Sequence, residues 1–122
     1  MRIQNVLVID DSRTELIHLS QILETAGYQV AMAENSEQAW QQMQQNKPDL
    51  ILMDVVMPGV NGFRLTRMFL RDPRFADVPI VICSGKGQPT DRIWGMRQGA
   101  RGYLVKPVTR EDLLGQIAAL EP

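Results

Sequence analysis

The sequence predicts an α/β protein in which five parallel strands form one sheet and five helices alternate with them, in the pattern (βα)5. Two observations predict it. Short continuous apolar runs recur along the chain, and amphipathic stretches with three- and four-residue spacing lie between them. Alternation of this kind puts a parallel sheet between two helical layers. Right-handed crossovers restrict the topology, and the expected strand order is 2-1-3-4-5.

The elements follow in order. Val6-Leu7-Val8-Ile9 is continuously apolar, as suits a strand covered on both faces. Leu16, Leu19, Ile22, Leu23 and Ala26 then recur at helical spacing, and Gly27 supplies a stop. Residues 28–33 form a weaker strand candidate. Ala39, Trp40 and Met43 mark the second helix, beside a glutamine cluster (Gln41, Gln42, Gln44, Gln45) that reads as a solvated face. Leu50-Ile51-Leu52-Met53 is the third strand, and Phe63, Leu65, Met68 and Phe69 mark the third helix. Ile80-Val81-Ile82-Cys83 is the fourth strand. Ile93, Trp94 and Met96 mark the fourth helix, with Pro89 near its first turn. Residues 103–105 form a short fifth strand. The last helix starts at about Thr109, a candidate N-cap with Asp112 three residues on, and carries Leu113, Leu114, Ile117 and Leu120. The whole is a flavodoxin-like, doubly wound arrangement.

Composition narrows the function classes. The 122 residues suit a single domain, 1–122, with no output domain expected. The net charge of −1, from 13 basic and 14 acidic residues, disfavours direct nucleic-acid binding. No apolar run approaches the roughly 20 residues of a membrane span, and no signal peptide is visible. Cys83 is the only cysteine, which excludes an intrachain disulfide and fits a cytoplasmic location.

In such folds ligands bind beyond the carboxyl ends of the strands. The first strand ends in Asp10-Asp11, the third in Asp54, the fourth in Ser84, and the fifth in Lys106-Pro107. Three neighbouring carboxylates repel one another unless a cation compensates. Mg²⁺ fits, because it accepts one or two carboxylates with waters and phosphate oxygens. For Asp10 and Asp11 taken alone, a role as acids opening the first helix explains them equally well. It explains Asp54 less well, since Asp54 directly follows a buried apolar strand. Lys106 offers a counter-charge able to bridge a carboxylate and a phosphoryl oxygen, or it is an ordinary strand-end lysine. Ser84 offers a small hydroxyl. Pro58-Gly59 and Asn61-Gly62 put turns just after Asp54, where backbone groups can approach a phosphate and a metal.

As a set, the acidic pair, Asp54, Ser84 and Lys106-Pro107 resemble the receiver domains of two-component response regulators (CheY-like), over about residues 5–120. The resemblance implies that Asp54 is the phosphoacceptor, supplied by a sensor histidine kinase of the CheA kind. It implies Mg²⁺ held by Asp11, Asp54 and the Val56 carbonyl, with Asp10 assisting through a bound water. Ser84 and Lys106 would contact phosphoryl oxygens, the Lys106–Pro107 bond would be cis, and Tyr103 would be the aromatic switch residue that turns inward as Ser84 moves. The signal would appear on the surface of the fourth helix, fifth strand and fifth helix. Such a chain is a switch rather than an enzyme, assisting only its own phosphorylation and dephosphorylation. Val56 and Lys86 occupy positions that tune phosphate lifetime in this family. Neither side chain suits water activation, so dephosphorylation is expected not to be unusually fast unless helped.

The segment from Lys86 to Ala100, with Trp94-Gly95 and Arg97-Gln98-Gly99-Ala100, is similar to PilH-type single-domain regulators of type IV pilus motility. The expected function is a monomeric, stand-alone regulator acting by protein–protein contact, with a flagellar-chemotaxis role or a phosphate sink as alternatives. Gly95 within a helix costs about 1 kcal/mol relative to alanine, so it marks either a mobile helix, an early helix end or a close packing contact. Trp94 is a partner contact or is partly buried on the sheet. His18 reads as an exposed helix residue, not a phosphorelay histidine. A haloacid-dehalogenase-like phosphohydrolase would need a second aspartate where Ser12 stands. A flavodoxin-type electron carrier would need a glycine- and hydroxyl-rich loop where Asp10-Asp11 stand. A degenerate receiver acting only as a scaffold would not keep the full acidic set.

Overall fold

The computed structural model describes residues 2–121. Its elements are β1 (Asn5–Ile9), α1 (Arg13–Thr25), β2 (Gln29–Ala33), α2 (Ser36–Gln45), β3 (Leu50–Asp54), α3 (Gly62–Arg71), β4 (Ile80–Ser84), α4 (Pro89–Arg97), β5 (Gly102–Val105) and α5 (Arg110–Leu120). The strands pair in the order β2-β1-β3-β4-β5, every neighbouring pair parallel. Element types, their sequence and the strand order are those the sequence predicts.

The continuous apolar strands are central, and β3 and β4 are buried at every residue. Because strand side chains alternate between faces, the sheet divides the core in two. Leu7, Ile9, Ile51, Met53, Ile80, Ile82 and Tyr103 face a layer built by Ala39 and Met43 of α2 and Leu65 and Phe69 of α3. Val6, Val8, Leu50, Leu52, Val81, Cys83 and Leu104 face α1 (Leu16, Leu19, Leu23) and α5 (Leu113, Ile117). Trp40 and Phe69 meet edge-on at 4.6 Å in the first layer, a pair adding about 1 kcal/mol beyond its area.

Local chemistry sets the helix starts. Ser12, Asn35, Asn61 and Thr109 each accept a backbone N–H from three residues on, worth typically about 1 kcal/mol each. Pro89 opens α4, where its missing N–H costs nothing.

The fourth helix forms where Ile93, Trp94 and Met96 mark it, and these three residues face outward, 53%, 51% and 45% exposed. The buried residue is Gly95. A Cβ there would stand 3.0 Å from Tyr103 Cδ2 and 3.4 Å from Phe63 Cε1. The helix thus lies its backbone on the Tyr103 ring, and close packing accounts for the glycine.

Candidate functional site

The site forms along the carboxyl edge of β1, β3 and β5. Asp10 follows β1 directly, and its N–H donates to the Ala33 carbonyl at 3.0 Å, prolonging the ladder with β2 by one rung. Its Oδ1 accepts the Ser12 N–H at 2.9 Å and so tightens the turn into α1. The helix cap itself is Ser12, and the acid of the first turn is Glu15. Asp10 therefore supports the turn, and its second oxygen serves the site. Asp54 is the last residue of β3 and is 7% exposed.

Lys106 follows β5 and crosses to both acids. Its ammonium donates to Asp10 Oδ2 at 2.7 Å and to Asp54 Oδ1 at 3.0 Å. Carboxylate oxygens of Asp10, Asp11 and Asp54 all lie within 4.8 Å of one another. Asp10 and Asp54 are buried, whereas Asp11 is exposed, so the cluster meets solvent on the Asp11 side.

One ammonium among three carboxylates leaves a net negative pocket. Burial pushes the Asp54 carboxyl up and the Asp10 charge adds to the effect. The Lys106 hydrogen bond and charge and the Val55 N–H pull it down, and the balance lies at about 6 against an ordinary 3.8. Burial pushes the Lys106 ammonium down, but its hydrogen bonds to Asp10 and Asp54 and their charges outweigh this and leave its pKa raised. The Cys83 thiol, buried behind the site, is pushed up to about 12, chiefly by burial. It is therefore an inert packing group.

The loop after Asp54 closes tightly. The Gly62 N–H donates to the Val55 carbonyl at 2.8 Å, and the Thr66 hydroxyl donates to the Gly62 carbonyl at 2.7 Å. Gly62 lies directly on the Asp54 carbonyl, and any side chain would collide with that oxygen and with Val55 Cα. Sequence reasoning marked Gly62 as a turn residue. Its actual requirement is space beside Asp54, which no local pattern signals. The Val56 side chain is exposed beyond this turn.

Ser84 ends β4 and is buried. Its hydroxyl accepts the Lys86 N–H at 3.1 Å, and its carbonyl accepts the Lys106 N–H at 2.8 Å. Ser84 is tied by backbone to Lys106 rather than bonded to the carboxylates themselves. Tyr103 is also buried, and its hydroxyl donates to the Lys86 carbonyl at 2.7 Å. The Lys106–Pro107 bond is cis. His18 is exposed on α1, with Nε2 2.7 Å from the Val108 carbonyl, on the helix rather than in the carboxylate cluster. All-oxygen donors with two buried carboxylates suit a hard divalent cation, which would offset the excess negative charge. Lys106 is placed to meet an incoming anion.

A parallel sheet of this order carries three acids and a lysine at its carboxyl edge. The chain belongs to the response regulator receiver domain family, whose profile matches residues 6–118. It is 48% identical to the protein PilH of Pseudomonas aeruginosa over 115 residues, covering 94% of this chain and 95% of that one. It is 35% identical to the phosphate regulon transcriptional regulatory protein PhoB of the same organism, of which it covers 51%. Among solved structures, the chemotaxis protein CheY4 of Vibrio cholerae superposes with a TM-score of 0.89 at 30% identity, covering 97% of this chain and 98% of that one. No helix among the described residues is long and apolar enough to cross a membrane.

Proposed function

We propose that the chain is a stand-alone, cytoplasmic response regulator that takes a phosphoryl group on Asp54 from the phosphohistidine of a CheA-like kinase and controls type IV pilus motility. The observation that carries the chemistry is the Lys106 ammonium shared between Asp10 and Asp54 beside a three-carboxylate cluster. The likeness to PilH along nearly the whole of both chains supports the pilus assignment.

An Asp54 carboxylate oxygen forms the new P–O bond as the donor's P–N bond breaks, and the electron pair stays on the imidazole nitrogen. Phosphoryl transfer asks for positioning and charge neutralisation more than for covalent help. Mg²⁺, when bound, supplies part of that neutralisation. Asp11, Asp54 and the Val56 carbonyl would hold it, with Asp10 acting through water. Lys106 remains on Asp10 and exchanges its Asp54 contact for a phosphoryl oxygen. Ser84 gives its hydroxyl to another. The acyl phosphate adds charge and acceptor oxygens at the sheet edge and so biases the surface of α4, β5 and α5, where Tyr103 reports the change. Val56 and Lys86 offer no general base, so the acyl phosphate persists longer than seconds.

Incubation with acetyl phosphate and Mg²⁺ tests the chemistry by intact mass. One phosphate should be gained, and it should be lost with EDTA and in Asp54→Asn. Phosphorylation that persists in Asp54→Asn moves the acceptor elsewhere. Twitching of a strain lacking this gene should depend on complementation by the wild type and not by Asp54→Asn.

A further inference from the structure

Gly95 is buried in the last turn of α4, still inside the helix, where glycine is disfavoured relative to alanine. The space a side chain would need is already filled. A Cβ would stand 3.0 Å from Tyr103 Cδ2, 3.2 Å from Tyr103 Cε2 and 3.4 Å from Phe63 Cε1. Contacts this short require the ring to give by a few tenths of an ångström, against the contacts that hold it. Its hydroxyl is held by the Lys86 carbonyl at 2.7 Å, and the Arg92 guanidinium stands 5.8 Å from its centroid. The same Lys86 residue donates its N–H to Ser84 Oγ. Gly95 is thus linked to the Ser84 hydroxyl at the sheet edge through one aromatic ring and one residue's backbone.

We propose that Gly95 is a positioning residue: by having no side chain it seats the Tyr103 ring inward, and the seated ring holds the Lys86 backbone that fixes the Ser84 hydroxyl. The seat is a property of the fold alone. Its consequence for phosphoryl capture rests on the function proposed above. Adding a Cβ at position 95 displaces the ring, weakens its bond to the Lys86 carbonyl and loosens the loop 85–88. Ser84 then loses its fixed donor and meets a phosphoryl group less often in the right place.

Helix propensity and the seat predict opposite signs, which makes the inference testable. On propensity alone, Gly95→Ala stabilises the protein. If Gly95 is the seat, it does not. Gly115→Ala is the control, because a Cβ at Gly115 on α5 meets nothing within 4 Å. Tyr103 and Tyr28 are the chain's two tyrosines, so nitration by tetranitromethane followed by peptide mapping reads each separately. In the unphosphorylated full chain, Tyr103 should nitrate slowly, and several-fold faster in Gly95→Ala. In Gly115→Ala it should stay slow while the melting temperature rises. Tyr103→Phe keeps the ring and removes only its bond to Lys86. It should slow phosphorylation by acetyl phosphate, and the double variant Gly95→Ala/Tyr103→Phe should be no slower than the slower single variant. A higher melting temperature in Gly95→Ala with Tyr103 still protected overturns the seat. Additive rate losses overturn the coupling to Ser84. A wild type that takes no phosphate fails the functional reading and leaves the nitration result standing.

Discussion

Replacing Asp54 by asparagine removes a charge from a place where the folded chain resists it. The Asp54 carboxyl sits at about 6 against an ordinary 3.8, and its side chain is only 8% exposed. A folded-state pKa above the unfolded value means that the carboxyl stabilises the fold fully below about pH 4 and that this contribution disappears as the pH rises through about 6. The difference amounts to about 3 kcal/mol at neutral pH. Part of the gain in Asp54→Asn is returned, because Lys106 keeps Asp10 as its only charged partner at the site. The net expectation is a variant about 1–3 kcal/mol more stable than the wild type near pH 7.5 in EDTA. Urea denaturation of both proteins across about pH 4.5–8 checks this, with the gap closing towards the acid end. Mg²⁺ should then favour the wild type by mass action and shrink the gap from the other side. An Asp54→Asn protein that is less stable at pH 7.5 in EDTA, or whose advantage does not change with pH, refutes the reasoning.

Three further outcomes follow from the same geometry. Lys106→Met leaves buried Asp10 and Asp54 facing each other, and should lose about 3 kcal/mol at neutral pH in urea titrations, with recovery on acidification or on adding Mg²⁺. Gly62→Ala drives a methyl group into the Asp54 carbonyl, and should cost about 1–3 kcal/mol by the same assay while also slowing phosphorylation by acetyl phosphate. Calorimetric Mg²⁺ affinity should be flat above about pH 7 and fall as the pH drops through about 6, because a protonated Asp54 no longer offers its full charge. Affinity that stays constant down to pH 5 would remove Asp54 from the ligand set.

The sheet was readable because its signals are local. Val6–Ile9, Leu50–Met53 and Ile80–Cys83 are apolar on both faces, and only strands between two helical layers need that. The residues brought to the carboxyl edge were readable for a related reason. Asp10, Asp54 and Ser84 each stand at the end of such a run and Lys106 at the end of the shorter fifth strand, and a parallel sheet aligns those ends. What stayed hidden depends on distant neighbours. The pattern at Ile93, Trp94 and Met96 is a helical one, but which face turns inward is decided by the bulk of Tyr103, seven or more residues away. Gly62 looked like any turn glycine, and its true partner is a backbone oxygen across the loop. The Lys86 backbone, which joins two hydroxyls, carries no side-chain signal at all.

Strand alternation also divides the residues of the carboxyl edge between the two faces of the sheet. Asp54 pairs in register with Cys83, whose side chain faces α1 and α5. Ser84, one residue on, points to the opposite face by the alternation of β4, the face that holds Ile82 and Tyr103. Asp54 and the Tyr103 ring therefore lie on opposite faces of the sheet. Three hydrogen bonds join the two sides: the Lys106 N–H to the Ser84 carbonyl, the Lys86 N–H to the Ser84 hydroxyl, and the Tyr103 hydroxyl to the Lys86 carbonyl. Exposed Ile93, Trp94 and Met96 on α4 and half-open Val105 on β5 give the surface of these two elements its apolar character. It is coupled to the charged edge by three hydrogen bonds, and breaking any one of them should uncouple the two before it unfolds either.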